Sequence, residues 1–310
     1  MKKSKFAFLT GASKSYLAGL NALLNSLEVH SHKEDFLLVS FDIPEDYLKK
    51  AQETFSFNIR IFKPRINHQV QGTAIERFRI AYEIGKEYDA VCLLDADMFF
   101  VNDVARFFLA ASKGLIIVGS NGMHISFTKK HQEIYKCDLG VEEYPHYLIH
   151  TTAPIFLSPQ DLDWFSALYK SKRVDSFDDF LYLNILGIKM RKTEKMICMP
   201  PYLFSQIHHF GVKPNTRIIK KNGVLLSETE ERIAVVHGKW FDKNWYTGLM
   251  VPMSGYFKDN ELGKLHERRA LESRETILNE FLKYCYLSKL DLRNFMKVKW
   301  LEEKLERLTH

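Results

Sequence analysis

Over its first hundred residues the chain alternates short apolar runs with longer segments of helical repeat. Lys5 to Thr10, built on Phe6-Ala7-Phe8-Leu9, reads as a strand closed by the turn signal Thr10-Gly11. Tyr16, Leu17, Leu20, Leu23, Leu24 and Leu27 then recur at helical spacing and predict an amphipathic helix. Phe36 to Phe41 predicts a second strand, ended by Asp42 and Pro44. Glu45 to Thr54 follows as a helix and Asn58 to Phe62 as a third strand. Thr73 to Glu87 predicts a helix with Thr73 as N-cap. Ala90 to Leu94 is a fourth strand that runs straight into Asp95.

Past residue 115 the pattern loosens. Strands are expected over Leu115 to Gly119 and Ile155 to Leu157, and helices over Asp161 to Tyr169 and Asp178 to Leu186. Arg232 to Val236 is a late strand that stops at His237. From Glu261 the chain is charged, helix-prone and free of proline. The alternation predicts an α/β fold with a mixed, mostly parallel central sheet flanked by helices, plus a helical C-terminal tail. The division expected is a main α/β domain over 1–260 and a helical tail over 261–310. Ligands of such sheets bind beyond the carboxyl ends of the strands, where Thr10, Asp42 and Asp95 stand.

Composition narrows the function classes. With 46% hydrophobic and 13% aromatic residues in 310, the chain has material for a large core and is not globally disordered. No apolar stretch approaches the length of a membrane span. Lys2, Lys3 and Lys5 before a short apolar run imitate a leader peptide, but Lys14 and the lack of a cleavage pattern favour a first strand. The four cysteines are far apart with no CxxC pair, which excludes a zinc ribbon or thioredoxin-like site and makes a reducing cytoplasm the simplest home. A net charge of +6 favours phosphates, nucleotides or acidic lipid surfaces, and no nucleic-acid motif is present.

The strongest local signal is Val91-Cys92-Leu93-Leu94-Asp95-Ala96-Asp97. A buried strand delivers two carboxylates at i and i+2, which lie on one side of an extended chain. They repel unless a cation lies between them, and a hard divalent ion such as Mn²⁺ or Mg²⁺ suits oxygen ligands. A second site is His237-Gly238-Lys239-Trp240-Phe241-Asp242-Lys243-Asn244-Trp245. His237 could complete a metal shell with Asp95 and Asp97, and Lys243 could neutralise a diphosphate leaving group. Two alternatives stay open: a phosphohydrolase with Asp95 as nucleophile, and a non-catalytic module that binds sugar nucleotides or glycans.

In these motifs the chain resembles the GT-A glycosyltransferases of family 8, the glycogenin and bacterial lipopolysaccharide galactosyltransferase group. The family's late motif is HxxGxxKPW; His237, Lys243 and Trp245 stand at the matching offsets, with Trp240 in place of Gly and Asn244 in place of Pro. The resemblance implies that Asp95, Asp97 and His237 bind the metal and that Lys243, with Gly238 beside the histidine, contacts the donor diphosphate. It extends to Phe8-Leu9-Thr10 through Tyr16-Leu17-Ala18-Gly19, where Tyr16 would meet a uracil and Thr10 would help hold the nucleotide. Arg79, sixteen residues before Asp95, falls where the family has a basic residue near the donor. Asp178-Asp179-Phe180-Leu181-Tyr182-Leu183-Asn184 matches the family's D-Q-x-x-L-N segment except for Phe180, and gives Asp179 a catalytic or sugar-binding role. Thr151-Thr152-Ala153 replaces the family's Asn-Ser-Gly. The activity implied is transfer of a sugar from a UDP-sugar to a glycan or glycolipid hydroxyl, with retention, or with inversion by a carboxylate base such as Asp179 if Phe180 marks a different site.

In the segment 281–301, Lys283, Lys289, Arg293, Lys297 and Lys299 outnumber the one acid, Asp291, and interleave with Tyr284, Tyr286, Phe295, Met296 and Trp300. Such a segment suits peripheral contact with an anionic membrane, or packing onto the catalytic domain or onto a second copy in a homo-oligomer.

Overall fold

A computed structural model of the chain describes residues 5–65, 69–126, 147–161, 195–199, 204–206, 217–238 and 261–309. The apolar runs become β1 (Phe6–Ala12), β2 (Asp35–Ser40), β3 (Ile59–Phe62) and β4 (Ala90–Leu93). Between them lie α1 (Leu17–Val29), α2 (Glu45–Thr54) and α3 (Gln69–Ile84). Beyond come β5 (Met98–Phe100), α4 (Ala105–Ala111), β6 (Ile116–Ser126), β7 (Tyr147–Leu157), β8 (Met196–Cys198) and β9 (Phe204–Gln206). The hairpin β10 (Ile218–Lys221) and β11 (Val224–Ser227), then β12 (Val235–His237), α5 (Glu261–Tyr286) and α6 (Lys299–Thr309) complete the described elements.

The main sheet has the order β3-β2-β1-β4-β7-β6-β8. β7 is antiparallel to both β4 and β6, and the remaining pairings are parallel, so β7 alone runs against the others. This is the mixed, mostly parallel α/β sheet that the alternation predicts. β4 is buried at every position and β2 at all but its last, as expected of strands covered on both faces. Strand order reverses between β1 and β4, because β2 and β3 are laid on one side of β1 and β4 on the other. A crevice opens at such a switch point, beyond the carboxyl ends of the two strands.

Two expectations are corrected. Thr73 lies inside α3, which starts at Gln69, so it is not an N-cap. α1 is not amphipathic in use: every residue from Leu17 to Leu27 is buried. Its polar side chains are answered from elsewhere. Asn21 donates to the carbonyls of Cys285 and Leu290, Asn25 exchanges two hydrogen bonds with the backbone of Leu290, and Ser26 accepts from the Phe100 amide. In the basic tail segment Tyr284 and Tyr286 are buried, and Phe295, Met296 and Trp300 pack against the same core as α1, which agrees with the packing reading of that segment. The expected helices over 162–169 and 178–186 lie outside the described residues. No described helix is long and apolar enough to cross a membrane.

Candidate metal centre

β4 ends at Leu93, and the chain turns through Leu94 to Asp97 before entering β5. The turn is held on three sides. The Leu94 amide donates to the carbonyl of Leu9 at 2.9 Å. The Leu94 carbonyl accepts from Thr10 Oγ1 at 3.0 Å and from Arg77 Nη1 at 2.9 Å. The Met98 amide closes on the Asp95 carbonyl at 3.2 Å. Asp95 and Asp97 therefore converge through a turn rather than along an extended strand.

β12 is the late strand foreseen in the sequence, shortened to Val235–His237, and it pairs antiparallel with β5 so that His237 lies opposite Met98. The Gly238 amide donates to the Asp97 carbonyl at 3.1 Å and extends that ladder into the turn. This pairing carries the imidazole across 140 residues of sequence. His237 Nε2 stands 3.2 Å from Asp97 Oδ1 and 3.4 Å from Asp95 Oδ2. One potential ligand atom from each of the three residues lies within 4.8 Å of the others.

These distances suit a divalent ion. An octahedral ion with bonds of about 2.1 Å sets neighbouring ligand atoms about 3.0 Å apart, so small side-chain adjustments would close the shell. Two carboxylate oxygens and one imidazole nitrogen form a set that Mn²⁺ or Mg²⁺ accepts. Asp97 and His237 are buried, while the Asp95 side chain is 26% exposed and gives the cluster its open side.

The electrostatics follow from the packing. Burial would raise the Asp95 carboxyl, but the Arg77 guanidinium, with Nη1 at 2.5 Å from Asp95 Oδ1, and His237 together hold it below the usual carboxylate range. Burial pushes Asp97 up, and Asp95 adds to this against the pull of His237. Burial would lower His237, and the two carboxylates more than reverse it. The Tyr16 hydroxyl is pushed up to about 12 by burial, with the fields of Asp97 and Asp95 adding. Tyr16 thus stands at the same site, in the short 3₁₀ turn that leads into α1.

The expected site residues divide accordingly. Asp95, Asp97, His237, Gly238 and Tyr16 come together, and Thr10 supports the turn from beneath through its hydroxyl. Arg79 is directed elsewhere: its guanidinium bonds Glu76, Glu83 and the Lys63 carbonyl. Arg77, two residues earlier, is the base that reaches Asp95. Asp179, Lys243 and Trp245 lie outside the described residues, and the side chains of Thr151 and Thr152 are likewise not described. Gly19 closes the opening segment that carries the resemblance but takes no role of its own there, although a Cβ on it would meet the backbone of the turn. The signal for it was the glycine itself, inside an otherwise leucine-rich helix.

No family model and no curated sequence matches the chain. Among solved structures it is similar to the galactosyltransferase LgtC in complex with donor and acceptor sugar analogues, at 15% identity and a TM-score of 0.44, over 82% of this chain and 98% of that one. It is similar to the glycosyltransferase GlyE of Streptococcus pneumoniae at 12% identity and a TM-score of 0.48, over 91% of this chain and 64% of that one. It is also similar to 4-diphosphocytidyl-2C-methyl-D-erythritol synthase of Anaerococcus prevotii at 14% identity and a TM-score of 0.43, over 63% and 86%.

Proposed function

We propose that the chain is a metal-dependent glycosyltransferase that takes a nucleotide-diphosphate sugar, UDP-linked, and moves the sugar to a hydroxyl of a glycan or glycolipid with retention. The observation that carries this reading is the meeting of Asp95, Asp97 and His237 at the β1/β4 switch point, open on the Asp95 side. Two buried carboxylates beside an imidazole are what a cation bridging to an anionic ligand requires.

Asp95, Asp97 and His237 would hold Mn²⁺ or Mg²⁺, which when bound supplies positive charge to a diphosphate. Arg77 neutralises the outer oxygen of Asp95 and leaves Oδ2 turned toward the cluster. Thr10 keeps the turn seated by fixing the Leu94 carbonyl. Tyr16, protonated at neutral pH, offers its ring to the base beside the carboxylates. Lys243, six residues beyond His237, brings a cation to the departing diphosphate, and Asp179 contacts the sugar. Both roles rest on the motif resemblance. Charge on the leaving phosphate is then balanced where it develops, and this arrangement depends on positioning more than on a strong base.

The test is a thermal-shift panel of nucleotide sugars with and without Mn²⁺, on the native chain and on Asp97→Ala. A ligand that binds only the folded state stabilises it by about 2.7 kcal/mol at a hundredfold excess over Kd. The expected result is a Tm rise with a UDP-sugar that needs Mn²⁺ and disappears in Asp97→Ala, whose far-UV spectrum is unchanged. Donor hydrolysis should vanish in that variant and in EDTA. A Tm rise with inorganic phosphate but none with any nucleotide sugar would instead favour the phosphohydrolase.

A further inference from the structure

Gly19 lies in the first turn of α1, against the turn that carries the carboxylates. A Cβ built on it would stand 2.6 Å from the Ala96 carbonyl oxygen, 2.9 Å from Asp97 Cα and 3.3 Å from the Ala96 carbonyl carbon. All three are backbone atoms, so no side chain can rotate away; the helix and the turn would have to part by several tenths of an ångström.

The helix is the less able of the two to move. It is held by the C-terminal segment, by Tyr47 of α2 and by Phe100 of β5, whose amide donates to Ser26. The Cys285 thiol donates to the Ala18 carbonyl at 3.4 Å, and Asn21 bonds the carbonyls of Cys285 at 3.1 Å and Leu290 at 2.9 Å. Asn25 adds a reciprocal pair with Leu290. The Tyr47 hydroxyl donates to the remaining oxygen of Asn21. Leu17, Leu20, Leu23, Leu24 and Leu27 are all buried. The turn, by contrast, is four residues, Leu94 to Asp97, between two short strands, and its outer carboxylate is partly open to solvent.

We infer that Gly19 is a positioning residue for the Asp95–Asp97 pair: its missing side chain lets a helix, clamped from behind by residues 285–290, serve as the rigid backing against which the two carboxylates are set. This rests on the metal-binding reading of the site. A site of this kind tolerates errors of only about 0.5 Å in its ligands, which is the scale of the displacement a methyl group would impose.

The test is Mn²⁺ binding to the purified full chain, followed by loss of the free-ion electron paramagnetic resonance signal and expressed per folded molecule. Gly19→Ala is compared with Leu27→Ala, which opens a cavity two turns along the same buried helix. Helix propensity alone would make Gly19→Ala stabilising. The expected result is that Gly19→Ala keeps its far-UV spectrum and cooperative melt but binds Mn²⁺ about 10–100-fold more weakly, the usual effect of losing a ligand's outer support. Leu27→Ala should lower Tm yet leave the affinity within about twofold, as a distant site does. Gly19→Ala with native affinity overturns the inference, as does an affinity loss no greater than that of Leu27→Ala. Failure of Gly19→Ala to fold overturns it too, since Gly19 would then belong to the framework. If the native chain binds no Mn²⁺, the metal reading itself falls, and that outcome is separate from the others.

Discussion

Asp95 is kept ionised by one neighbour more than any other. The Arg77 guanidinium is almost fully buried, and its Nη1 serves both Asp95 Oδ1 and the Leu94 carbonyl. Replacing it with Met would leave a mostly buried carboxylate without its counter-charge and a buried carbonyl with only Thr10. We expect Arg77→Met to lose about 2 kcal/mol of stability at neutral pH, read from urea unfolding. Sequence reasoning grouped the carboxylates with the histidine, and the structure brings the three together, because a strand end followed by DxD, and a strand ending in His, are local patterns. It named Arg79, where the resemblance puts a basic residue, and passed over Arg77; two residues apart on a helix is about 200° of rotation, and only the docked helix decides which one faces the sheet. Gly19 stands in the opening segment, but its role was unreadable for a similar reason. A close approach between a helix and a loop almost eighty residues apart leaves no trace in either segment beyond the glycine.

At the scale of the element, α1 repays most study. Its helical period was plain, but the expected amphipathic use was not met, and Asn21 and Asn25 are as buried as the leucines. Those amides are buried because carbonyls from residues 285 and 290 meet them. A buried polar group is acceptable when it is hydrogen-bonded, and no local rule announces a partner so distant in sequence. The same helix ends at His30, whose Nε2 lies 3.1 Å from the Tyr284 hydroxyl on α5. Burial, with the fields of His32 and Lys283 adding, lowers the His30 pKa to about 4. The unfolded chain, with an ordinary imidazole near 6.5, therefore binds the proton more readily. Stability from this residue is complete above about 6.5, declines as the pH falls, and is gone below about 4. Discounted for a partly exposed ring, the change is about 1–2 kcal/mol. Urea midpoints at pH 4.5 and 7 should differ by this amount more in the native chain than in His30→Gln.

For the molecule as a whole, the α/β alternation was readable through β4, because covered parallel strands are continuous apolar runs. The C-terminal region was harder. Basic and aromatic residues at helical spacing make the same stripe whether the helix lies on a membrane or on a protein core. Here Ile277, Leu278, Phe281, Leu282, Leu292 and Leu301 join the core cluster that contains α1 and β4. The segment consequently contributes to the interior around the candidate site. Removing residues 287–310 would strip Asn21 and Asn25 of the Leu290 backbone and expose α1. We expect that truncation to abolish the cooperative urea transition, whereas an independent appendage would leave the midpoint unchanged.

The clasp between Asn25 and Leu290 spans 265 positions of chain. At synthesis rates of roughly 5–20 residues per second, α1 leaves the ribosome on the order of 10–50 s before its partner exists. Through that interval two side-chain amides on an apolar helix must stay hydrated, so α1 cannot settle into its final dry position while the chain is still growing. The carboxylate turn and the strand bearing His237 are both made inside the same window. The helix behind the candidate metal pocket thereby waits for a segment that, among the described residues, contributes nothing to the Asp95, Asp97 and His237 cluster.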